Sequence, residues 1–224
     1  LVIYSQAGIV RDVPELGISE ASAQRGLHSE YNDKIYDLDK EFSDNDKTKV
    51  FVVGNSFARD WANILLESEY RDSIEITYTF NLTNDSLDVA RLKEADYIFF
   101  SDLEKEKFLA LKDEYSIDES KVWNVGTKNF GENNGIYYAK RDSEDYLDQR
   151  TLMMNGILER NNKLKSEWGD RYIDLISLVI DNKKTVPVFT PDGKFISQDT
   201  RHLTESGAEY FADLIESNYF TQNN

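Results

Sequence analysis

Short apolar runs alternate with amphipathic stretches along most of the chain. Such runs occur at Val50–Val53, Ile74–Phe80, Tyr97–Phe100, Val122–Val125 and Tyr172–Ile176. Runs of this length, bounded by polar segments and rich in β-branched and aromatic residues, are typical of buried strands. Because amphipathic segments lie between them, the pattern predicts βαβ units and a mostly parallel sheet of about five strands.

Helical spacing marks the segments between these runs. A first helix is predicted from Leu27, Tyr31, Ile35, Leu38 and Phe42, which recur every three or four residues. Later helices are indicated by Trp61, Ile64 and Leu65, by Phe108, Leu109 and Leu111, by the series Leu147, Met153, Met154, Ile157, Leu158 and Leu164, and by Ala208, Phe211, Leu214 and Ile215. Near the end, Pro191-Asp192-Gly193 predicts a turn between two short apolar runs, Val186–Phe189 and Phe195–Ile196.

These elements predict an α/β fold, a flavodoxin-like three-layer sandwich with helices on both faces of the sheet. The 224 residues, without an internal repeat or a low-complexity tract, suit one domain. In such a sheet, ligands bind beyond the carboxyl ends of the strands.

Composition narrows the function classes. The chain has 26 basic and 42 acidic residues, a net charge of −16, which disfavours binding to nucleic acid or to anionic membrane surfaces. It has no cysteine, which excludes disulfides and thiol nucleophiles. The two histidines are far apart in sequence and no glycine-rich phosphate loop is present, so neither a metal nor a cofactor is expected.

The two histidines have different settings. His28 lies on the predicted first helix, where a structural role is expected. His202 lies in Asp199-Thr200-Arg201-His202, in a loop before the last helix. An Asp three residues before a His can hold the imidazole Nδ1 and stabilise the imidazolium that forms when the ring acts as a base, although a local turn capped by Asp199 would have the same sequence.

A candidate nucleophile stands at the end of the first apolar run. Ser56 follows Val50–Val53 and Gly54-Asn55 and precedes a helix, so its hydroxyl is expected at the carboxyl edge of the sheet. The helix N-terminus there favours a developing oxyanion. The alternative is that Ser56 is only a helix N-cap. The strict G-x-S-x-G motif is absent because Ala58 stands two residues after Ser56.

Together the two motifs resemble those of the SGNH (GDSL-like) hydrolase superfamily. The segment 52–59, with Gly54-Asn55-Ser56, is similar to its nucleophile block, and the segment 199–208 is similar to its Asp-x-x-His-Leu block. The resemblance implies a catalytic triad of Ser56, Asp199 and His202 that forms an acyl-serine intermediate. Asn55 replaces the usual Asp.

The oxyanion-binding residues of the superfamily are less easily matched. Its glycine cannot be placed after Phe80, and its Gly-x-Asn-Asp block is missing after Phe100, but Gly126-Thr127-Lys128-Asn129 occurs one strand later. The resemblance therefore implies the Ser56 backbone N–H and the Asn129 side chain as oxyanion donors. The Asn-rich loop is alternatively a turn or a substrate contact.

A narrower resemblance comes from Ser-x-Ala-Arg at 56–59, Asp174 in a late strand, and Pro191-Asp192-Gly193-Lys194. These features look like the SGNH domains fused to integral-membrane acyltransferases that O-acetylate bacterial surface polysaccharides such as lipopolysaccharide. That implies residues 1–20 as an extension from a preceding membrane domain of the same polypeptide, and residues 21–224 as one catalytic domain on the periplasmic side. The implied substrates are an acyl donor and a carbohydrate acceptor.

Other functions stay open at this stage. The same triad would serve a free-standing carbohydrate acetylesterase, and a domain without a working oxyanion site would only position glycan. A nucleotide-binding or receiver domain is disfavoured because the first strand ends in Asn-Ser without an acidic cluster. Trp61, Trp123 and Trp168 would suit sugar-stacking platforms, but their apolar-periodic positions favour the core.

Overall fold

Alternating strands and helices make up most of the computed structural model, which describes residues 31–131, 139–197 and 199–215. The strands are β1 (Thr48–Val53), β2 (Ile74–Thr79), β3 (Tyr97–Ser101), β4 (Val122–Val125), β5 (Arg150–Leu152), β6 (Tyr172–Ile173) and β7 (Thr185–Pro187). The helices are α1 (Ser56–Glu67), α2 (Ser86–Glu94), α3 (Lys105–Tyr115), α4 (Ile157–Trp168) and α5 (Glu205–Leu214). Over these residues no helix is both long and apolar enough to cross a membrane.

Within the described residues, the main sheet has five parallel strands in the order β2-β1-β3-β4-β6. All five predicted strands are confirmed, although the last is shorter than predicted. β6 ends at Ile173 because the Asp174 carboxylate turns the chain: its Oδ1 accepts the Ser177 N–H at 3.1 Å and the Asn161 side-chain amide at 2.9 Å.

Both faces of the sheet are covered, as a three-layer sandwich requires. Along β1, Val50 and Val52 point into one core, with α1 and α5, while Phe51 and Val53 point into the other, with α2, α3 and α4. This alternation follows from the two-residue period of a strand. All three tryptophans are buried, which confirms that they belong to the core.

The predicted helix through Leu147–Leu164 is wrong in its first half. Residues 146–148 form a 3₁₀ turn and Arg150–Leu152 forms β5, which pairs antiparallel with β7 as a separate two-stranded sheet. β5 alternates exposed, buried and exposed side chains, the period of a strand. The helix begins only at Ile157, after Gly156 in a left-handed conformation (φ 84°).

The predicted first helix is also wrong over its second half. Helical residues end at 33 and a 3₁₀ turn spans Tyr36–Leu38; Leu27 lies outside the described residues. Ile35 packs into the core beside α1, whereas Phe42 packs against the core on the opposite face of the sheet. A continuous helix cannot reach both faces, so the chain leaves the helix and crosses the sheet edge.

Candidate active site

Ser56 lies where the order of the sheet reverses. The chain runs from β1 to β2 on one side and then returns to β3 on the other, so the carboxyl end of β1 is the topological switch point. Gly54 makes the turn out of β1 with φ 134°, which residues with a Cβ rarely adopt. The Tyr78 hydroxyl donates to the Gly54 carbonyl at 2.8 Å and fixes this turn to β2.

Asn55, and not Ser56, caps the following helix. The Asn55 side-chain oxygen accepts the Phe57 N–H at 2.9 Å, and Ser56 is the first residue of α1. The interpretation of Ser56 as an N-cap is therefore wrong: its hydroxyl is not used to satisfy the helix end. The Ser56 N–H belongs to the first helical turn, whose amides have no intrahelical acceptor.

The Ser56 hydroxyl contacts His202, which in turn contacts Asp199. His202 Nε2 lies 2.7 Å from Ser56 Oγ, and His202 Nδ1 lies 2.5 Å from Asp199 Oδ2. The three residues predicted from sequence thus meet at the carboxyl edge of the sheet in the order that a serine, a base and an orienting carboxylate need. The His202 side chain is 25% exposed, so ligands can reach the site.

Backbone hydrogen bonds hold the loop that carries Asp199 and His202. Asp199 Oδ1 accepts the N–H groups of Arg201 at 3.0 Å and of His202 at 2.8 Å. Thr200 has a left-handed backbone (φ 74°), and its carbonyl accepts the Phe130 N–H at 2.8 Å. The local turn considered for Asp199 is therefore present together with the contact to the imidazole.

The surroundings of Asp199 favour its ionised form. Partial burial acts to raise the pKa of Asp199, but hydrogen bonds from the His202 ring and from the backbone of His202 and Arg201 outweigh burial and hold the pKa well below its usual range. An ionised Asp199 accepts a proton-bearing Nδ1, which leaves Nε2 as the acceptor facing Ser56.

Asn129 lies buried in the loop after β4. Its side-chain oxygen accepts the N–H groups of Gly131 at 3.0 Å and of Met154 at 3.1 Å. Asn129 therefore shapes a turn, which is the alternative that the sequence offered for this loop. The Asn129 oxygen is thus committed to two backbone N–H groups. The next residue, Phe130, is the one bonded to Thr200, so this loop lies against the Asp199–His202 loop.

The end of β3, where the superfamily block is missing, is organised by an ion pair. Asp102 has a left-handed backbone (φ 51°). Arg160 donates from Nε to the Asp102 carboxylate at 2.7 Å and from Nη2 to the Asp102 carbonyl at 2.9 Å. This corner of the sheet edge is thus closed by α4.

Two charged residues near Ser56 and His202 were not among the residues predicted from sequence. Asp60 is fully buried one helical turn after Ser56, and its Oδ2 lies 2.9 Å from the Nζ of Lys128, which is also buried. The only sequence signal was an acidic residue between Ala58 and Trp61, both on the buried side of α1. His28 lies outside the described residues, within which no cluster of three or more His, Asp or Glu could hold a metal ion.

Comparison with known proteins identifies the fold of this chain. No protein-family model matches the sequence, and no protein of curated function matches it. Among solved structures, the periplasmic domain of the lipopolysaccharide acetyltransferase of Salmonella ser. Paratyphi A superposes with a TM-score of 0.58 over 86% of this chain and 97% of that one, at 14% identity. The chain adopts the SGNH hydrolase fold.

The strand order of this SGNH fold accounts for the position of Ser56. The order β2-β1-β3-β4-β6 puts the end of β1 at the switch point, and the last helix, α5, packs beside α1. The loop before α5 therefore arrives next to the N-terminus of α1, which brings His202 to Ser56 across 146 positions of sequence.

Proposed function

We propose that this chain is a serine-dependent acyltransferase domain that moves an acyl group, acetyl above all, to a cell-surface carbohydrate. The observation that carries the proposal is the continuous contact from Ser56 Oγ through His202 to Asp199 at the switch point of the sheet. A hydroxyl held against an imidazole nitrogen, with a carboxylate behind the ring, is the arrangement of an activated nucleophile.

In the first half-reaction Ser56 Oγ attacks the carbonyl carbon of the acyl donor. His202 Nε2 takes the hydroxyl proton, and Asp199 stabilises the imidazolium. The bond to the leaving group breaks as His202 returns the proton to that group. An acyl-Ser56 ester is left.

The oxyanion of the tetrahedral intermediate needs donors at the same edge. We assign the Ser56 N–H to it, because this amide lies in the first turn of α1, where the helix dipole favours negative charge. The Asn129 Nδ2 is the second assigned donor, because its own oxygen is held by Gly131 and Met154 and therefore cannot face the anion.

In the second half-reaction a sugar hydroxyl gives its proton to His202 and attacks the acyl-serine carbonyl. The Oγ–C bond breaks and the proton passes back to Ser56. Water in place of the sugar would give an esterase. The partly exposed His202 makes hydrolysis the specific alternative, since water reaches the base directly.

The neighbour in the comparison supports a proposal for the acceptor class and the cellular setting. That protein is described as the periplasmic domain of a lipopolysaccharide acetyltransferase. By analogy we propose that residues 21–224 form a periplasmic catalytic domain, and that residues 1–20 connect it to a membrane-embedded acyltransferase domain that supplies the acyl group.

The role of Ser56 as nucleophile is tested by measuring the mass of the intact protein after treatment with a fluorophosphonate. We expect one adduct on the wild type, and none on Ser56→Ala or His202→Ala. Ser166→Ala is the matched control, since Ser166 is exposed on α4, and it should label like the wild type. No adduct on folded wild-type protein would reject the mechanism and favour a glycan-positioning role.

Transfer and hydrolysis are separated by a second assay. The wild type is incubated with an activated acetyl ester, with and without a bacterial surface oligosaccharide. Acetylated oligosaccharide lost in Ser56→Ala supports transfer. Acetate release that is unchanged by the oligosaccharide, with no acetylated product, identifies an esterase instead.

A further inference from the structure

The buried pair Asp60–Lys128 joins the helix of the nucleophile to the loop after β4. Asp60 lies four residues after Ser56, and its side chain is 1% exposed; that of Lys128 is 3% exposed. Carboxylate and ammonium are 2.9 Å apart. Neither charge is accessible to a ligand, so the pair does not bind substrate.

The same carboxylate also reaches the loop of the base. Asp60 Oδ2 accepts the N–H of Leu203, the residue after His202, at 2.8 Å. The Nη2 of Arg59 lies 3.4 Å from the other oxygen, Oδ1. One buried group therefore ties α1 to the backbone beside His202.

Lys128 contacts the site by a second route. Its Nζ lies 3.6 Å from the centre of the Phe57 ring, and that ring stands edge-on to the His202 imidazole, with 6.3 Å between ring centroids. Burial lowers the pKa of Lys128, against the opposing effect of Asp60 and, more weakly, of Asp199. The charge of Lys128 therefore interacts electrostatically with Asp199 as well as with Asp60.

We propose, on the basis of the function assigned above, that Asp60 and Lys128 are positioning residues: the carboxylate fixes the His202 loop to α1, and the ammonium cancels the carboxylate's charge at the imidazole. A buried ion pair stabilises a fold little better than apolar side chains of the same volume. The pair differs from such side chains in holding the Leu203 N–H and in keeping the local charge balanced.

The charged groups near His202 include Asp199 and Arg201 on its own loop, Arg59 and Asp60 on α1, and Lys128 after β4. Removing Lys128 leaves Asp60 with only its longer contact to Arg59, so more of the carboxylate's charge acts on the imidazole and favours the imidazolium. Removing the charge of Asp60 leaves Lys128 unbalanced and favours the neutral ring. The two substitutions should therefore shift the titration midpoint of His202 in opposite directions. A purely structural disturbance would not produce opposite shifts.

The experiment is an NMR titration of the His202 ring protons in a His28→Gln background, in which His202 is the only histidine. Lys128→Met should raise the titration midpoint by about half a unit to one unit, and Asp60→Asn should lower it by a similar amount. Asn keeps an oxygen for the Leu203 N–H. The double variant should return close to the wild type, and Lys112→Met, at a lysine paired with Glu119 on the surface, should not move it.

Rates of fluorophosphonate labelling provide the second readout. In the Lys128→Met background, Asp60→Leu removes the acceptor of the Leu203 N–H, whereas Asp60→Asn keeps an oxygen there. Neither double variant retains the charges of the buried pair. Labelling of the Asp60→Leu double variant should therefore be at least tenfold slower than that of the Asp60→Asn double variant. This comparison also decides the matter if the single variants fail to fold. Unchanged midpoints in folded single variants, or equal labelling of the two double variants, would overturn the proposal. The titration needs no catalysis, so it stands even if wild-type Ser56 is not labelled.

Discussion

Replacing Asp199 by asparagine separates the charge of this side chain from its shape. The remaining oxygen can still accept the backbone N–H groups of Arg201 and His202, which Oδ1 accepts at 3.0 and 2.8 Å. The new NH₂ group, however, takes the place of Oδ2, which faces the His202 Nδ1 at 2.5 Å. Two donors cannot face each other, so the neutral ring places its hydrogen on Nε2.

The size of the effect follows from that change of tautomer. With its hydrogen on Nε2, the imidazole donates to Ser56 Oγ and cannot accept its proton. A loss of about 10³–10⁴-fold in acylation rate is expected, the range known for triads with the wrong tautomer, or roughly 4–5.5 kcal/mol of barrier. The free energy of unfolding should fall by only about 1 kcal/mol, since the backbone hydrogen bonds persist.

The assay is the rate of acylation by an activated acetyl ester near neutral pH, together with thermal unfolding. Asp113→Asn, at an exposed position of α3, is the matched control and should behave as the wild type. The pKa of Asp199 is depressed in the fold, so the stability it contributes is present above its ordinary unfolded value of about 3.9 and is lost as the pH falls below that. A loss of activity below tenfold in a folded Asp199→Asn protein would refute the reasoning.

Three further predictions concern the fold around the site. Gly207→Ala should destabilise the protein by more than about 2 kcal/mol in urea unfolding, because its Cβ would overlap the Ile196 carbonyl oxygen. Arg91→Met should cost about 3–5 kcal/mol by the same measurement, since it leaves the buried Asp88 carboxylate without its ion pair, and Asp88→Asn in that background should recover part of the loss. The pKa of Glu119 is lowered to about 2 by hydrogen bonds from two lysines. Glu119→Gln should therefore lower the free energy of unfolding at pH 7 by less than about 1 kcal/mol, because the pair is exposed. The effect should shrink as the pH falls from about 4.3 towards 2 and vanish only below pH 2, where the carboxyl group is protonated in the fold as well.

The strands of the sheet could be predicted because their signal is local. Val50–Val53 and Tyr97–Phe100 are short, continuous apolar runs, and a strand covered on both faces buries every residue of such a run. Ser56 and His202 could be predicted as partners because each stands in a recognisable short motif. The helix predicted across Leu147–Leu164 failed because its apolar spacing fits a helix, although the chain pairs Arg150–Leu152 with a later strand.

The buried pair beside the triad could not be predicted from residue spacing. Asp60 and Lys128 are far apart in sequence, and charged residues are usually exposed. Their contact depends on how α1 meets the loop after β4, which only the tertiary structure defines. Likewise, both Ser56 and Asn55 are good N-cap residues, and the distinction between them depends on where the first helical turn begins.

The assembly of the site from the two ends of the described chain has a consequence for folding studies. Ser56 follows β1 and His202 precedes α5, so a partly folded chain in which α5 is not docked on α1 lacks the Ser56–His202 contact. Contacts between segments so far apart in sequence form slowly, because closing the long intervening loop costs entropy before the contact is made. With Ser56 as the proposed nucleophile, time-resolved labelling during refolding would report the docking of α5 on α1, separately from the formation of helices.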